Sequence, residues 1–343
     1  MNIKKTILSV AASVLAIFST VGNAAASSAL NDVGIVAYSQ REIIPLRIYD
    51  YSSKISSTSR FVSLFTDTEQ ESYSSSYFPS SIRSGISTNA IVGDDNRTSV
   101  SNAMNKPYSA TCFVRATFKN NDGSTFTTGF SGFLIGPNLL LTCGHGVYHT
   151  ELKQMSQKLE VFPAMNGSNP NYISSTLAKR VVCSEKYISN LNYENDWAIV
   201  ELNENIGYNY GWLGIRWNSG SFVGTDIWNT GYPSGNGAPS WQNVYGTRMA
   251  LGKGRVLDCG PNFLRGAWDA TGGNSGGPVF APYSYGGYDA VGILTCGSPE
   301  NTFGGDYMYA YTQATRFTRG MYDLFIKCKN SGILNVPFWE GNL

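Results

Sequence analysis

From about residue 111 the chain runs as short apolar segments cut by Gly, Asn and Pro. Segments of that length predict strands over Thr111–Phe118, Phe126–Leu134, Leu139–Cys143, Leu159–Phe162, Trp197–Leu202, Thr225–Thr230, Val256–Cys259, Pro278–Ala281, Ala290–Thr295 and Tyr307–Tyr311. Many short strands at close spacing build a β-sandwich or β-barrels. One stretch has a different period. Thr315–Lys329 sets Phe317, Met321, Leu324, Phe325 and Cys328 on one face at helical spacing, which predicts a terminal helix. No repeat of 20 to 50 residues interrupts this texture.

The first 90 residues are patterned differently. Lys4 and Lys5 precede an apolar run from Ile7 to Val21, and the small residues Gly22 to Ala26 follow. This is the layout of a secretory signal peptide over residues 1–26. The run is short for a membrane span, and no later segment is long and apolar enough to make one. Residues 27–90 are rich in serine, with apolar clusters at Ile43-Ile44-Pro45-Leu46 and Phe61-Val62-Ser63-Leu64-Phe65. Placed between a signal and a denser domain, they are expected to be a removable pro-segment. The alternative is an extension that stays attached.

Composition narrows the classes. The formal net charge is +1, which points neither to a nucleic-acid partner nor to an anionic membrane surface. Few charges, with many Gly, Ser, Thr, Asn and Tyr, suit a turn-rich all-β protein outside the cell. The six cysteines (Cys112, Cys143, Cys183, Cys259, Cys296 and Cys328) allow up to three disulfides in that compartment, with the pairing open. None shows C-x-x-C spacing, so neither a zinc site nor a cofactor is expected. A monomer is expected.

The candidate chemistry centres on Thr271-Gly272-Gly273-Asn274-Ser275-Gly276-Gly277-Pro278. Glycines on both sides of Ser275 allow a tight turn in which the N–H groups of Gly273 and Ser275 point at one spot and hold an oxyanion. By itself the stretch is equally a flexible loop. It also satisfies G-x-S-x-G, but the α/β-hydrolase elbow places its histidine after the serine, whereas His145 and His149 both precede Ser275. A serine nucleophile needs a base. His145, framed by Gly144 and Gly146 at the end of a predicted strand, is better placed than His149. The base in turn needs a carboxylate to fix its tautomer. Asp196 heads the apolar run Trp197–Leu202, a combination that Asp226, Asp258 and Asp269 lack.

Three segments together resemble a family. They are Gly132 to Tyr148, Asn195 to Leu202 and Gly272 to Phe280, and they are similar to secreted bacterial serine proteases of the chymotrypsin-like fold, above all the glutamyl endopeptidases. Ile91-Val92-Gly93-Asp94-Asp95-Asn96-Arg97-Thr98 resembles the family's mature N-terminus. The resemblance implies an all-β protease domain over 91–343, made of two six-stranded antiparallel β-barrels with a C-terminal helix. The first barrel would span about 91–205, the second about 206–312 and the helix about 315–329, with the pro-segment cut near Asn89 to Ile91. It also implies a secreted endopeptidase acting on protein or peptide substrates, with Ser275 as nucleophile, His145 as base, Asp196 orienting it, and Gly273 and Ser275 forming the oxyanion hole.

The pocket departs from the family. Leu294 stands where the glutamyl enzymes keep a histidine, and Ala270 where they keep a hydroxyl. Asp269 falls where trypsin-like enzymes keep an aspartate that would select a cation. Asp269, Ala270, Leu294, Thr295 and Gly297 are therefore the candidate substrate-binding residues, with basic, acidic and other preferences open. Asn274 replaces the aspartate that receives a new N-terminus in trypsin-like zymogens, so that ion pair is unavailable. The competing reading is a secreted homologue that binds without cutting.

Overall fold

The computed structural model describes residues 40–65, 70–74, 95, 97–234, 238–282, 288–297 and 311–336. The signal peptide, the expected cut at Asn89 to Ile91 and most of Tyr307–Tyr311 lie outside them. The chain divides into a small unit, 1–41 with 64–69, and a large one, 42–63 with 70–343. Of the small unit only residues 40, 41, 64 and 65 are described; both barrels and the terminal helix belong to the large one.

The strands are Gln40–Asp50 (β1), Ile55–Phe65 (β2), Glu71–Tyr73 (β3), Thr98–Ser99 (β4), Thr111–Lys119 (β5), Thr125–Leu134 (β6), Leu139–Thr142 (β7), Tyr148–His149 (β8), Gln154–Met155 (β9), Lys158–Pro163 (β10), Thr176–Ser184 (β11) and Ala198–Leu202 (β12). The second half adds Gly214–Asn218 (β13), Asp226–Gly231 (β14), Ala250–Cys259 (β15), Phe263–Gly266 (β16), Pro278–Pro282 (β17), Tyr288–Gly297 (β18) and Thr312–Arg316 (β19), then a helix over Arg319–Ser331. The order β10-β5-β6-β7-β12-β11 closes through pairing of β10 with β11, and β17-β14-β15-β16-β19-β18 closes through β17 with β18. Two closed six-stranded antiparallel barrels result, as the resemblance implied. Closure removes the open strand edges that would otherwise invite association.

One face of the first barrel's sheet is built from alternating residues that meet across its strands, among them Val114, Leu134, Leu140, Val181 and Val200, all fully buried. The helix adds Met321, Leu324, Phe325 and Cys328 to the same core, so the expected apolar face is the one that packs. Each such large apolar side chain contributes roughly 1.5–3 kcal/mol on burial. The helix starts later than its periodicity suggests. Thr315 and Arg316 belong to β19, and Thr318 caps the helix by accepting a hydrogen bond from the Met321 N–H at 3.2 Å.

Five of the six cysteines differ from the disulfide expectation, because Cys112, Cys143, Cys183, Cys259 and Cys328 are free thiols. Cys112 and Cys183 are interior residues of β5 and β11, and Cys328 faces the core from the helix, each packed as a small apolar side chain. Burial pushes the Cys112 and Cys183 thiols well up, and that of Cys328 to about 12.

Outside the barrels β8 pairs with β9 and β4 with β15, and two further additions come from the N-terminal stretch. β1 and β2 extend the first sheet from β11, and β3 extends the second through β13. The stretch expected as a pro-segment thus contributes strands to both halves of the fold.

Candidate active site

After β7 the chain turns through Cys143 into a single helical turn, Gly144–Val147. His145 therefore sits in a helical turn, not on the strand itself. Its Nδ1 lies 2.6 Å from Asp196 Oδ2, and its backbone N–H donates to Asp196 Oδ1 at 2.8 Å. The pairing Ala198↔Thr142 between β12 and β7 brings the two residues together across 51 positions. Asp196 follows a short 3-10 turn, Tyr193–Asn195, and is fully buried. Trp197, packed edge-on against Phe325 at 5.6 Å between ring centres, anchors the strand head that carries it.

Desolvation alone would lower the pKa of His145. The Asp196 carboxylate and the neighbouring Cys143 outweigh it, and His145 is held well above the usual imidazole range. Its Nε2 faces Cys143 Sγ at 3.7 Å.

The serine loop is tied down on three sides. Thr271 and Asn274 close it on itself: the Asn274 N–H donates to Thr271 O at 3.1 Å, and the Thr271 N–H donates to Asn274 Oδ1 at 3.2 Å. The side chain standing in place of a zymogen aspartate is thus a buried loop-closing residue. The Gly276 N–H donates to Leu294 O at 2.7 Å, and the Leu294 N–H to Gly277 O at 2.9 Å. From the first barrel, the Ser131 N–H donates to Ser275 O at 2.8 Å, while Thr142 Oγ1 donates to Ser131 O at 2.7 Å. Ser275 is thereby set against the strand end that leads into His145.

Ser275 Oγ donates to Thr295 O at 3.2 Å, and among the described residues no hydrogen bond joins it to His145. Neither the Gly273 N–H nor the Ser275 N–H meets an acceptor there. Gly273 has φ +86, and a Cβ would overlap Tyr232 O, so the turn that frees these two donors requires glycine.

The other candidates fall in several places. His149 packs between the rings of Phe118 and Phe126 and accepts from the Leu152 N–H, away from the site. Asp226 pairs with Arg255 and Asp258 with Arg265. Asp269 and Ala270 are half-buried on the approach to the serine loop, and Ala270 packs against the second barrel's core. The Leu294 side chain is 2 % exposed within that core, so what it offers the site is its backbone. Buried Thr295 supplies the carbonyl that holds Ser275 and donates through Oγ1 to Gln313 O; Gly297 pairs with Thr312.

Two residues escaped the sequence reading. Arg97, whose side chain is 3 % exposed, donates to Thr271 Oγ1 at 2.7 Å and is paired with Asp95. No pattern in Asp94-Asp95-Asn96-Arg97 announces that reach of 174 positions. Ser131 is the second. Its Oγ accepts from the Tyr232 N–H at 2.9 Å and donates to Gly273 O at 2.7 Å. A hydroxyl inside the apolar run Phe130–Leu134 was the available signal. Ser131→Ala would strand the buried Tyr232 N–H and the half-buried Gly273 carbonyl, which costs about 1–3 kcal/mol. The expected outcome is that loss in denaturant unfolding together with a roughly tenfold fall in kcat/KM, since the Gly273 peptide loses its support. An unchanged kcat/KM would remove Ser131 from the supporting structure of the site.

Known proteins are similar to this chain to different extents. The family model described as Trypsin matches residues 98–319, more than half of the chain. A glutamyl endopeptidase of Bacillus licheniformis is 29 % identical over 253 residues, covering 71 % of each chain. A Bacillus subtilis protein called an extracellular metalloprotease is 29 % identical over 256 residues, 74 % of this chain and 71 % of its own. Among solved structures, a Glu endopeptidase in complex with MPD superposes with a TM-score of 0.54 at 26 % identity, covering 70 % of this chain and 99 % of its own. The protease Anisep of Arthrobacter nicotinovorans, at 18 % identity and a TM-score of 0.50, shares the fold, over 66 % of this chain and 96 % of its own.

Proposed function

This chain belongs to the trypsin family and is a serine endopeptidase, and on that premise we propose that it is secreted and cuts proteins through Ser275, His145 and Asp196. The observation that carries the reading is a pair of unengaged N–H donors, Gly273 and Ser275, beside a histidine held by a fully buried carboxylate. In the reaction Ser275 Oγ leaves Thr295 O, gives its proton to His145 Nε2 and bonds to the scissile carbonyl carbon. The carbonyl oxygen takes the negative charge and is held by the two N–H groups. The imidazolium, stabilised by Asp196, returns the proton to the leaving amine, and water then releases the acyl group by the same steps. Such contacts commonly tighten only when substrate is bound.

Secretion is supported by the signal-like N-terminus and by the name of the extracellular relative. That relative is also called a metalloprotease. Here the described residues contain no cluster of three or more His, Cys, Asp or Glu able to hold a metal ion, and no step is routed through one.

A binding-only homologue is the competing reading, and it is separated by chemistry at one atom. A fluorophosphonate probe is expected to label the mature protein once, on Ser275, with parallel loss of casein hydrolysis; peptide mapping by mass spectrometry reads the site. A protein that resists labelling, or that is labelled elsewhere, would overturn the assignment.

A further inference from the structure

Residues 42–63 and 70–74 bind the protease body through three separate devices. In the first, β1 adds a strand to β11, with Leu46↔Ser184, Ile48↔Val182 and Asp50↔Arg180 in register. Two ion pairs border it: Arg47 is bidentate to Glu185 at 2.9 and 2.7 Å, and Asp50 meets Arg180 at 2.8 Å. The second device is at the C-terminal helix. Glu42 accepts from Thr318 Oγ1 at 2.6 Å and from the Gly320 N–H at 2.7 Å, and Ser63 Oγ bonds to Asp323. In the third, β3 pairs antiparallel with β13, Glu71 meets Arg216 at 2.8 Å, and the Ser219 N–H donates to Gln70 O at 2.7 Å.

The segment also belongs to the core. Ile44, Leu46, Tyr49, Tyr51 and Phe61 are buried in the same apolar cluster as Val181, Leu324 and Phe325, with Leu46 fully enclosed. Its departure would open that cluster to water and leave the outer edge of β11 unpaired. Among the described residues, none of the hydrogen bonds made by His145, Gly273 or Ser275 goes to residues 42–74.

We propose that residues 42–74 are a permanent partner of the protease: after the chain is cut near Asn89 to Ile91, they stay bound as a second, noncovalently held chain that ties both barrels to the C-terminal helix. This rests on the reading that the chain is cut there. A pro-segment of this kind acts as a retained subunit, and the mature enzyme is a two-chain protein.

The test uses the full chain carrying Ser275→Ala, which prevents self-digestion, with a site for an unrelated sequence-specific protease inserted between Thr88 and Ile91. After complete cleavage the sample is passed over size-exclusion at micromolar and then nanomolar concentration, and the eluted protein is weighed under denaturing conditions. The expected result is one fragment per body at both concentrations. Arg47→Glu, which breaks a partly exposed ion pair, should speed fragment release at least tenfold with the body still folded, and Leu46→Asp should speed it further. Separate elution of the fragment from a folded body would overturn the proposal, as would unchanged release in Arg47→Glu together with Leu46→Asp. N-terminal sequencing of the naturally matured enzyme reports independently on the cut, so failure of that reading is distinguished from failure of retention.

Discussion

Asp196→Asn is expected to lower kcat by about 10⁴-fold while leaving the protein folded. The two oxygens of Asp196 accept from two different donors, the His145 backbone N–H and the His145 ring at Nδ1. An asparagine has only one acceptor. Its oxygen is claimed by the backbone N–H, which cannot change its role, so the amide NH₂ turns toward Nδ1. The imidazole must then accept there and carry its proton on Nε2, the tautomer that cannot take a proton from Ser275. The pH profile gives a second readout. In the wild type, kcat/KM should rise with pH through the raised pKa of His145, because only the neutral imidazole acts as a base. Removing the carboxylate removes the main charge that raises it, so the inflection should move to lower pH in the variant. Activity within tenfold of wild type, or an unmoved inflection, would refute the role given to Asp196.

Gly276→Ala is expected to be the most damaging single methyl among the described glycines. Gly276 has φ +87, and a Cβ there would overlap both Ser131 O and Thr142 Oγ1. Both atoms belong to the buried first-barrel strands that hold the serine loop, so neither can retreat. Backbone strain alone costs about 1–3 kcal/mol, and overpacking typically adds about 1–3 more. A total of about 4 kcal/mol is a large share of the roughly 5–15 kcal/mol that stabilises a folded domain. The expected outcome is a fall in Tm of about 10 °C or more with activity lost. Gly224→Ala separates the two contributions, because Gly224 has nearly the same φ, +85, with nothing within 4 Å of an added Cβ. It should lose only the strain. Equal damage from both substitutions would show that contact with Ser131 and Thr142 is not what matters at Gly276.

His145, Asp196 and Ser275 stand out as candidates because each lies in a local pattern: glycine framing, an apolar strand head, a glycine-rich turn. Most barrel strands were legible for a similar reason, since their apolar runs are bounded by turn residues. β19 was not. All five of its residues, Thr312-Gln313-Ala314-Thr315-Arg316, are buried, yet four are polar. They are tolerated because their groups are satisfied by distant partners, such as Arg316 with the carbonyls of Gly260, Asn218 and Gly220. A hydrophobicity pattern carries no record of such partners. The serine-rich stretch before residue 74 hid its strands in the same way, because alternate burial is visible only once β11 and β13 are there to pair with.

By itself, then, the sequence determined what local chemistry and short-range periodicity can determine. It supplied a serine framed by glycines, a scarce histidine, an aspartate at an apolar strand head, an all-β texture and a terminal helix. Only the tertiary structure decided what depends on contacts between remote positions. It made Asn274 a lock on the serine loop, Ser131 a brace from the opposite barrel, five of the six cysteines free thiols, and Ile44, Leu46, Tyr49, Tyr51 and Phe61 part of the core. The reason is physical. A hydrogen bond or a buried edge is defined by two groups at once, and one stretch of chain holds only one of them.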